Sequence, residues 1–257
     1  MISRTRIQLI LTALHERLLF LLKGDYQNIL LAKRRLKNYC FMDNTTEDAV
    51  STLNTIFEKK CSLGQGINPT GNDDRRVFLF QEDFVEYEEL VNLKATFSKS
   101  FQFMSALKLE LGFIMINETI ATEDGNGSGG GWHRDSAYGQ LKVMIYLNDV
   151  VKSNGAFQIV KDSRVFSSKL KYDSYINKSS PLRLYNNVVL EREAFTITGQ
   201  SGTTIAFNPE NIHRGSPCLN GQRRAATFYF FPRSRLQKMI SEFRIDIDRL
   251  KINDRRG

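Results

Sequence analysis

No run of about 18 uncharged apolar residues occurs; the nearest candidate, Ile7 to Leu22, is interrupted by His15, Glu16 and Arg17. A membrane-crossing helix and a cleaved secretory signal are therefore not expected. Cysteine is scarce. Cys40, Cys61 and Cys218 lie far apart and form no CxxC pair, which excludes a disulfide framework and makes a reducing cytoplasm the expected location. No internal repeat is found. The 257 residues, 41% hydrophobic and 25% charged, exclude a disordered or fibrous chain and fit one domain of the large single-sheet or barrel kind.

What is abundant is positive charge. Thirty-six Lys and Arg against 28 Asp and Glu give +8 and a pI near 9.4, which favours an anionic partner: nucleic acid, a membrane surface or an acidic metabolite. Apolar residues recur at helical spacing from Met1 to about Leu36, with Gly24-Asp25 marking a break. A helix is expected over 46–60, where Val50, Leu53, Ile56 and Phe57 share a face and Asn44 to Thr46 can cap. Residues 64–76 are dense in turn formers and are expected to be a loop, and 84–103 to be helical. On this pattern a helical layer, residues 1–105, precedes every strand.

From Leu107 the period changes to two. Strands are expected at 107–121, 132–149, 156–160, 194–198, 203–207 and 223–231, joined by turns at Asn154-Gly155, Gly199 to Gly202, Asn208-Pro209 and Asn220-Gly221. Short strands with tight turns predict a mainly β sandwich or jelly roll over 106–232. Helical spacing returns from Arg235 to Lys251, placing a C-terminal helix and tail at 233–257. Two segments do not fit strands: Asp124 to Gly131, with five glycines in eight residues, and the polar insertion 163–190. Each is expected to be either a plain surface loop or a lid over a pocket.

Histidine is as scarce as cysteine, and two of its three occurrences are patterned. His133 and Asp135 are spaced i and i+2, so on a strand they face one side and can offer an imidazole nitrogen and a carboxylate oxygen to one ion. His213, from a distant strand, can supply a third ligand. Two histidines and one carboxylate leave three positions of an octahedral ion open, as in non-haem Fe(II) oxygenases. Taken alone, His-x-Asp is also found as a satisfied surface pair. Its company raises its weight: ten residues after His213, Arg223 opens the strand Arg223 to Phe231, and a buried guanidinium clasps a dicarboxylate in a bidentate manner.

Gly131-Trp-His-Arg-Asp135, Tyr146-Leu-Asn-Asp-Val150, Asn154-Gly-Ala-Phe157, Gly202-Thr-Thr-Ile-Ala-Phe207 and His213 to Arg223 together resemble the phytanoyl-CoA dioxygenase family, a branch of the Fe(II)- and 2-oxoglutarate-dependent oxygenases. The resemblance spans about Leu109 to Pro232. It implies a double-stranded β-helix, a cupin-like jelly roll with the N-terminal helices packed outside, all in one oxygenase domain, 1–257. It further implies iron held by His133, Asp135 and His213, the distal carboxylate of 2-oxoglutarate bound by Arg223 with Ser216 as a second cosubstrate residue, and O2 as the oxidant. The retained aspartate implies hydroxylation of an aliphatic C–H rather than halogenation. Two departures stand out. Val160-Lys-Asp-Ser163 replaces the usual Pro-Gly-Ser-His, and Gly215 occupies the place, two residues after the distal histidine, where relatives often have serine.

Adjacent strand residues face opposite ways, so either Arg223 or Arg224 enters the barrel. Arg223 shares its face with Ala225, Thr227 and Tyr229, a small and partly polar set, and is favoured; Arg224 lies with Ala226, Phe228 and Phe230. Trp132 is expected to pack, Ser136 and Tyr138 to line the mouth at most, and Lys33 to Lys37 to form a solvated face. The expected substrate is a small, anionic metabolite: a saccharide, a lipid-linked compound or a coenzyme A ester. The basic N-terminal helices also suit peripheral contact with a membrane. Two alternatives stay open, a nucleic-acid demethylating oxygenase and a non-catalytic cupin-like binding protein.

Overall fold

The computed structural model describes residues 36, 38–68, 74–86, 109–121, 131–133, 135, 140–163 and 192–254. The helices expected before Leu36, most of the helix expected over 84–103, the Gly-rich segment 124–130, Ser136, Tyr138 and the insertion 164–190 lie outside the described residues.

Among the described residues, nine strands form two antiparallel sheets. The larger has the order β1 (Tyr39–Phe41), β7 (Thr204–Phe207), β4 (Leu141–Tyr146), β9 (Gln222–Pro232), β3 (Leu109–Ile120) and β2 (Asp74–Leu79). The smaller has β6 (Ala194–Ile197), β5 (Phe157–Val160) and β8 (His213–Gly215). Between them pack Met144, Tyr146, Ile205, Phe207 and Ala225 from the large sheet and Phe157, Ile159 and Ile197 from the small one. Two sheets closing on a shared interior make the jelly roll expected from the strand pattern.

The outer face of the large sheet is covered by helix α1 (Glu47–Ser62). Thr46 caps it by accepting from Ala49 N, Glu47 and Asp48 stand in its first turn, and Lys59 and Lys60 stand in its last, each matching the helix dipole. Its buried Val50, Leu53, Ile56 and Phe57 are the residues expected from the spacing, and they pack on Val77, Ile114, Ile116, Val143, Ile145, Ala226 and Phe228. Burying each such side chain contributes about 1.5–3 kcal/mol. A short helix, α2 (Asp83–Glu86), follows β2. After β9 and one 3-10 turn, α3 (Leu236–Asp254) covers the far end of the interior face through Met239 and Phe243 against Phe113, Tyr229 and Phe231. No described helix is long and apolar enough to cross a membrane.

Three expectations are corrected. Strands β1 and β2 fall inside 1–105, so strands interleave with the helices there. Within the expected loop 64–76, Asp74, Arg75 and Arg76 open β2. Its polar start hides a strand because its charges are paired: Arg76 with Asp74, and Arg75 Nε donating to Glu118 of β3 at 2.8 Å. Third, among the described residues of the expected strand 132–149, the strand is Leu141–Tyr146, and His133 makes an isolated bridge to His213.

Candidate metal and cosubstrate site

His133 and His213 meet because their backbones pair, His133 N donating to His213 O and His213 N to His133 O, each at 2.9 Å. Asp135 N donates to Pro209 O at 3.0 Å, which ties the next residue but one to the same turn. Sequence spacing had grouped these residues through strand pleating. In the structure the pairing with the segment 209–213 brings Asp135 to the histidines, and no strand runs through it.

The geometry suits a metal. One ligand atom from each of His133, Asp135 and His213 lies within 4.8 Å of the others. His133 Nδ1 is 2.9 Å from Gly131 O and His213 Nδ1 is 2.8 Å from Asn211 O, so in both rings Nδ1 carries the proton as the backbone's donor. Each Nε2 is then turned to the aspartate, 4.0 Å from Oδ1 for His133 and 3.5 Å from Oδ2 for His213, and in the neutral ring it carries the lone pair that a metal takes. Although 34% of the His133 side chain is exposed, desolvation by the surrounding protein, with repulsion from His213, pushes its imidazole down to about 4, which favours the neutral ligand form. Burial alone would raise the Asp135 carboxyl; Lys142 and the two histidines outweigh it and hold the group ionised well below the usual carboxylate range. Lys142 Nζ stands 2.6 Å from Oδ2, a charge contact rather than an aligned hydrogen bond.

Aromatic rings flank the site. Phe157 and Phe207 stand 5.7 and 5.4 Å from the His213 ring, centroid to centroid. Trp132 is buried with Val160 and Ile212, and the Arg214 guanidinium stacks on it at 4.3 Å, so it packs as expected. Ser163, which ends the departure Val160-Lys-Asp-Ser163, has a structural role. Its hydroxyl donates to Val160 O at 2.6 Å and accepts from Ile212 N at 2.7 Å, tying β5 to the residue before His213.

On β9, register settles which arginine faces inward. Ala225, Thr227 and Tyr229 stand opposite Tyr146, Met144 and Lys142, whose side chains face the interior, and Arg223 shares their parity. It is 5% exposed and donates from Nη1 to Gly155 O at 2.7 Å. Among the described residues, neither Arg223 Nε nor the buried Ser216 Oγ has a hydrogen-bond partner. Both groups are thereby open to a polar ligand. Gly215 belongs to the same cradle: a Cβ there would stand 2.6 Å from Arg223 Nη1, so the space of the usual serine is taken by the guanidinium. Arg224 points outward and is consumed by structure. Its Nε donates to Glu118 at 3.1 Å, Nη1 to Asn54 at 2.9 Å and Nη2 to Glu58 at 2.5 Å, and the group lies over the Phe57 ring.

Lys142 is the residue that sequence reasoning missed. Its signal was present, a lone lysine on the interior parity of Leu141-Lys-Val-Met-Ile-Tyr146, but an otherwise apolar strand read as packing.

The sequence profile of the phytanoyl-CoA dioxygenase family matches residues 69–226, well over half of the chain. No curated protein matches by sequence. Among solved structures, the non-heme alpha ketoglutarate dependent epimerase SnoN from nogalamycin biosynthesis superposes with a TM-score of 0.59 at 12% identity, covering 81% of this chain and 83% of that one. HygX from Streptomyces hygroscopicus, with nickel and 2-oxoglutarate bound, gives 0.52 at 13% identity over 79% and 86%. EctD from S. alaskensis, with bound Fe, gives 0.52 at 15% identity over 76% and 72%. At these identities the likeness is one of fold.

Proposed function

Because the chain belongs to the phytanoyl-CoA dioxygenase family of non-haem iron, 2-oxoglutarate-dependent enzymes, we propose that it hydroxylates an aliphatic C–H of a small, anionic metabolite in the cytoplasm. The observation that carries the proposal is the convergence of three ligand groups in a fold that also turns inward an arginine whose Nε has no hydrogen-bond partner among the described residues. His133 Nε2, His213 Nε2 and one Asp135 oxygen would hold Fe(II). Arg223 would pair with the distal carboxylate of 2-oxoglutarate, and Ser216 Oγ would donate to the same group. Bound together, iron, 2-oxoglutarate and O2 supply the oxidising power that an unactivated C–H requires. The chain fixes ligand orientation through the two Nδ1 hydrogen bonds and packs Phe157 and Phe207 against the His213 ring. Fold does not select among the outcomes of C–H oxidation; the aspartate kept in the ligand set supports hydroxylation over halogenation.

The test is succinate release by protein loaded anaerobically with Fe(II), then given 2-oxoglutarate and O2 with phosphorylated, carboxylated and coenzyme A-linked candidates. Slow release without substrate, raised about tenfold or more by one candidate that gains an oxygen atom, is the expected result. Release no greater than that from free iron across the whole panel refutes it. Salt-sensitive binding of oligonucleotides, with stimulation by a methylated one alone, would move the function to the nucleic-acid alternative.

The Gly215 cradle yields a second expectation. Gly215→Ala should fold normally and raise the 2-oxoglutarate concentration needed for half-maximal turnover about tenfold, because the new methyl forces the Arg223 fork from its position. A titration curve superposing on wild type would show that the guanidinium has room to move.

A further inference from the structure

Lys142 has no place in the chemistry proposed above, yet it is 5% exposed and adjoins the triad. On β4 it faces the interior directly opposite Tyr229 of β9, and its ammonium lies 4.0 Å over the Tyr229 ring. A buried ammonium needs a compensating charge. Among the described residues its ion partner is Asp135, at 2.6 Å through Oδ2. The lysine thus stands on one oxygen of the carboxylate that is to bind the metal, and the other, Oδ1, faces the His133 ring at 4.0 Å from Nε2.

The consequence concerns the number of open metal positions. A carboxylate with both oxygens free can chelate one cation in a bidentate manner. Two imidazoles and one carboxylate oxygen leave three octahedral positions, two for a chelating 2-oxo acid and one for O2. A bidentate aspartate would fill one of these and leave too few. We propose that Lys142 is a positioning residue that restricts Asp135 to a single metal-binding oxygen and so keeps the third open position available. The proposal rests on the iron reading of the site. It explains why a cation stands beside a cation site, where simple repulsion would weaken metal binding. The positive charge lowers affinity for the metal, and in exchange the coordination shell stays open.

Mn(II) suits the same ligands, and the relaxation it imparts to water protons reports how many exchanging waters it carries. Metal-free wild type, Lys142→Met and Lys142→Arg are titrated with Mn(II), the bound-state relaxation is measured, and 2-oxoglutarate is then added. Lys142→Met should bind Mn(II) at least as tightly as wild type, show relaxation lower by about a third as one water of three is lost, and bind 2-oxoglutarate about tenfold more weakly. Lys142→Arg should restore both. Wild-type relaxation in Lys142→Met overturns the proposal, as does a loss of melting temperature with unchanged relaxation, which would make the lysine a structural ion-pair partner only. If wild type itself binds no Mn(II) at the triad, the iron reading fails first.

Discussion

The His133→Ala protein is expected to lose 2-oxoglutarate decarboxylation altogether, with or without substrate, while its metal-free form loses only about 1 kcal/mol of stability, the net worth of the single hydrogen bond from Nδ1 to Gly131 O. The ring is one of the three groups proposed to hold the metal and stands at the rim, with 34% of its side chain exposed, so little packing goes with it. Asp135→Ala should lose turnover equally and behave differently on unfolding. It leaves Lys142, whose side chain is 7% exposed, as a buried ammonium without its ion partner, and breaking a buried pair from one side costs about 3–5 kcal/mol. The pair of variants thus separates ligand loss from charge loss. Thermal or denaturant unfolding of both metal-free proteins, beside a succinate assay, measures it. Equal stabilities would show that the Lys142 contact with Asp135 contributes nothing to the fold, and retained turnover in His133→Ala would remove that residue from the site.

Arg223→Ala and Arg224→Ala should divide in the opposite sense. Losing a charge-assisted bidentate contact costs about 2–5 kcal/mol, so Arg223→Ala should raise the apparent 2-oxoglutarate requirement at least tenfold, measured by cosubstrate titration at saturating iron. Its stability should change little, because its described hydrogen bonds are the one to Gly155 O and a long one to Thr119 at 3.5 Å. Arg224→Ala should leave the titration near wild type and lower stability by about 2 kcal/mol. It unhooks β9 from α1 at Glu58 and Asn54 and strips one of two arginines from Glu118, whose side chain is 1% exposed. The reverse order, with the cosubstrate defect in Arg224→Ala, would mean that β9 presents its other face to the interior.

What was legible in the sequence was whatever a short-range period or a cap dictates. Helix α1 follows from Thr46 and the spacing of Val50, Leu53, Ile56 and Phe57, and the facing of β9 follows from parity, which sets Arg223 with Ala225, Thr227 and Tyr229 and Arg224 with Ala226, Phe228 and Phe230. Strand β2 was not legible. Its Asp74, Arg75 and Arg76 look like a solvated turn until Glu118, 42 or more residues further along the chain, is known to lie beside them. The grouping of His133, Asp135 and His213 was legible through residue type and order, but the means of their assembly was not: a bridge between His133 and His213 and a turn held at Pro209 are long-range pairings that no local pattern encodes. Lys142 was hidden for a related reason. Its meaning depends on Asp135 standing in front of it, and the expected strand through 132–149 would have carried that carboxylate along the same element.

The central claim is that one iron binds where His133 Nε2, Asp135 and His213 Nε2 converge. Crystals grown with Fe(II) under nitrogen, with diffraction recorded on either side of the iron absorption edge, test it directly. The account predicts one anomalous peak per chain, within bonding distance of about 2.0–2.2 Å of both Nε2 atoms and one Asp135 oxygen, with Lys142 Nζ still on the other oxygen. A peak elsewhere, or a triad without iron in protein that binds a full equivalent in solution, would contradict it.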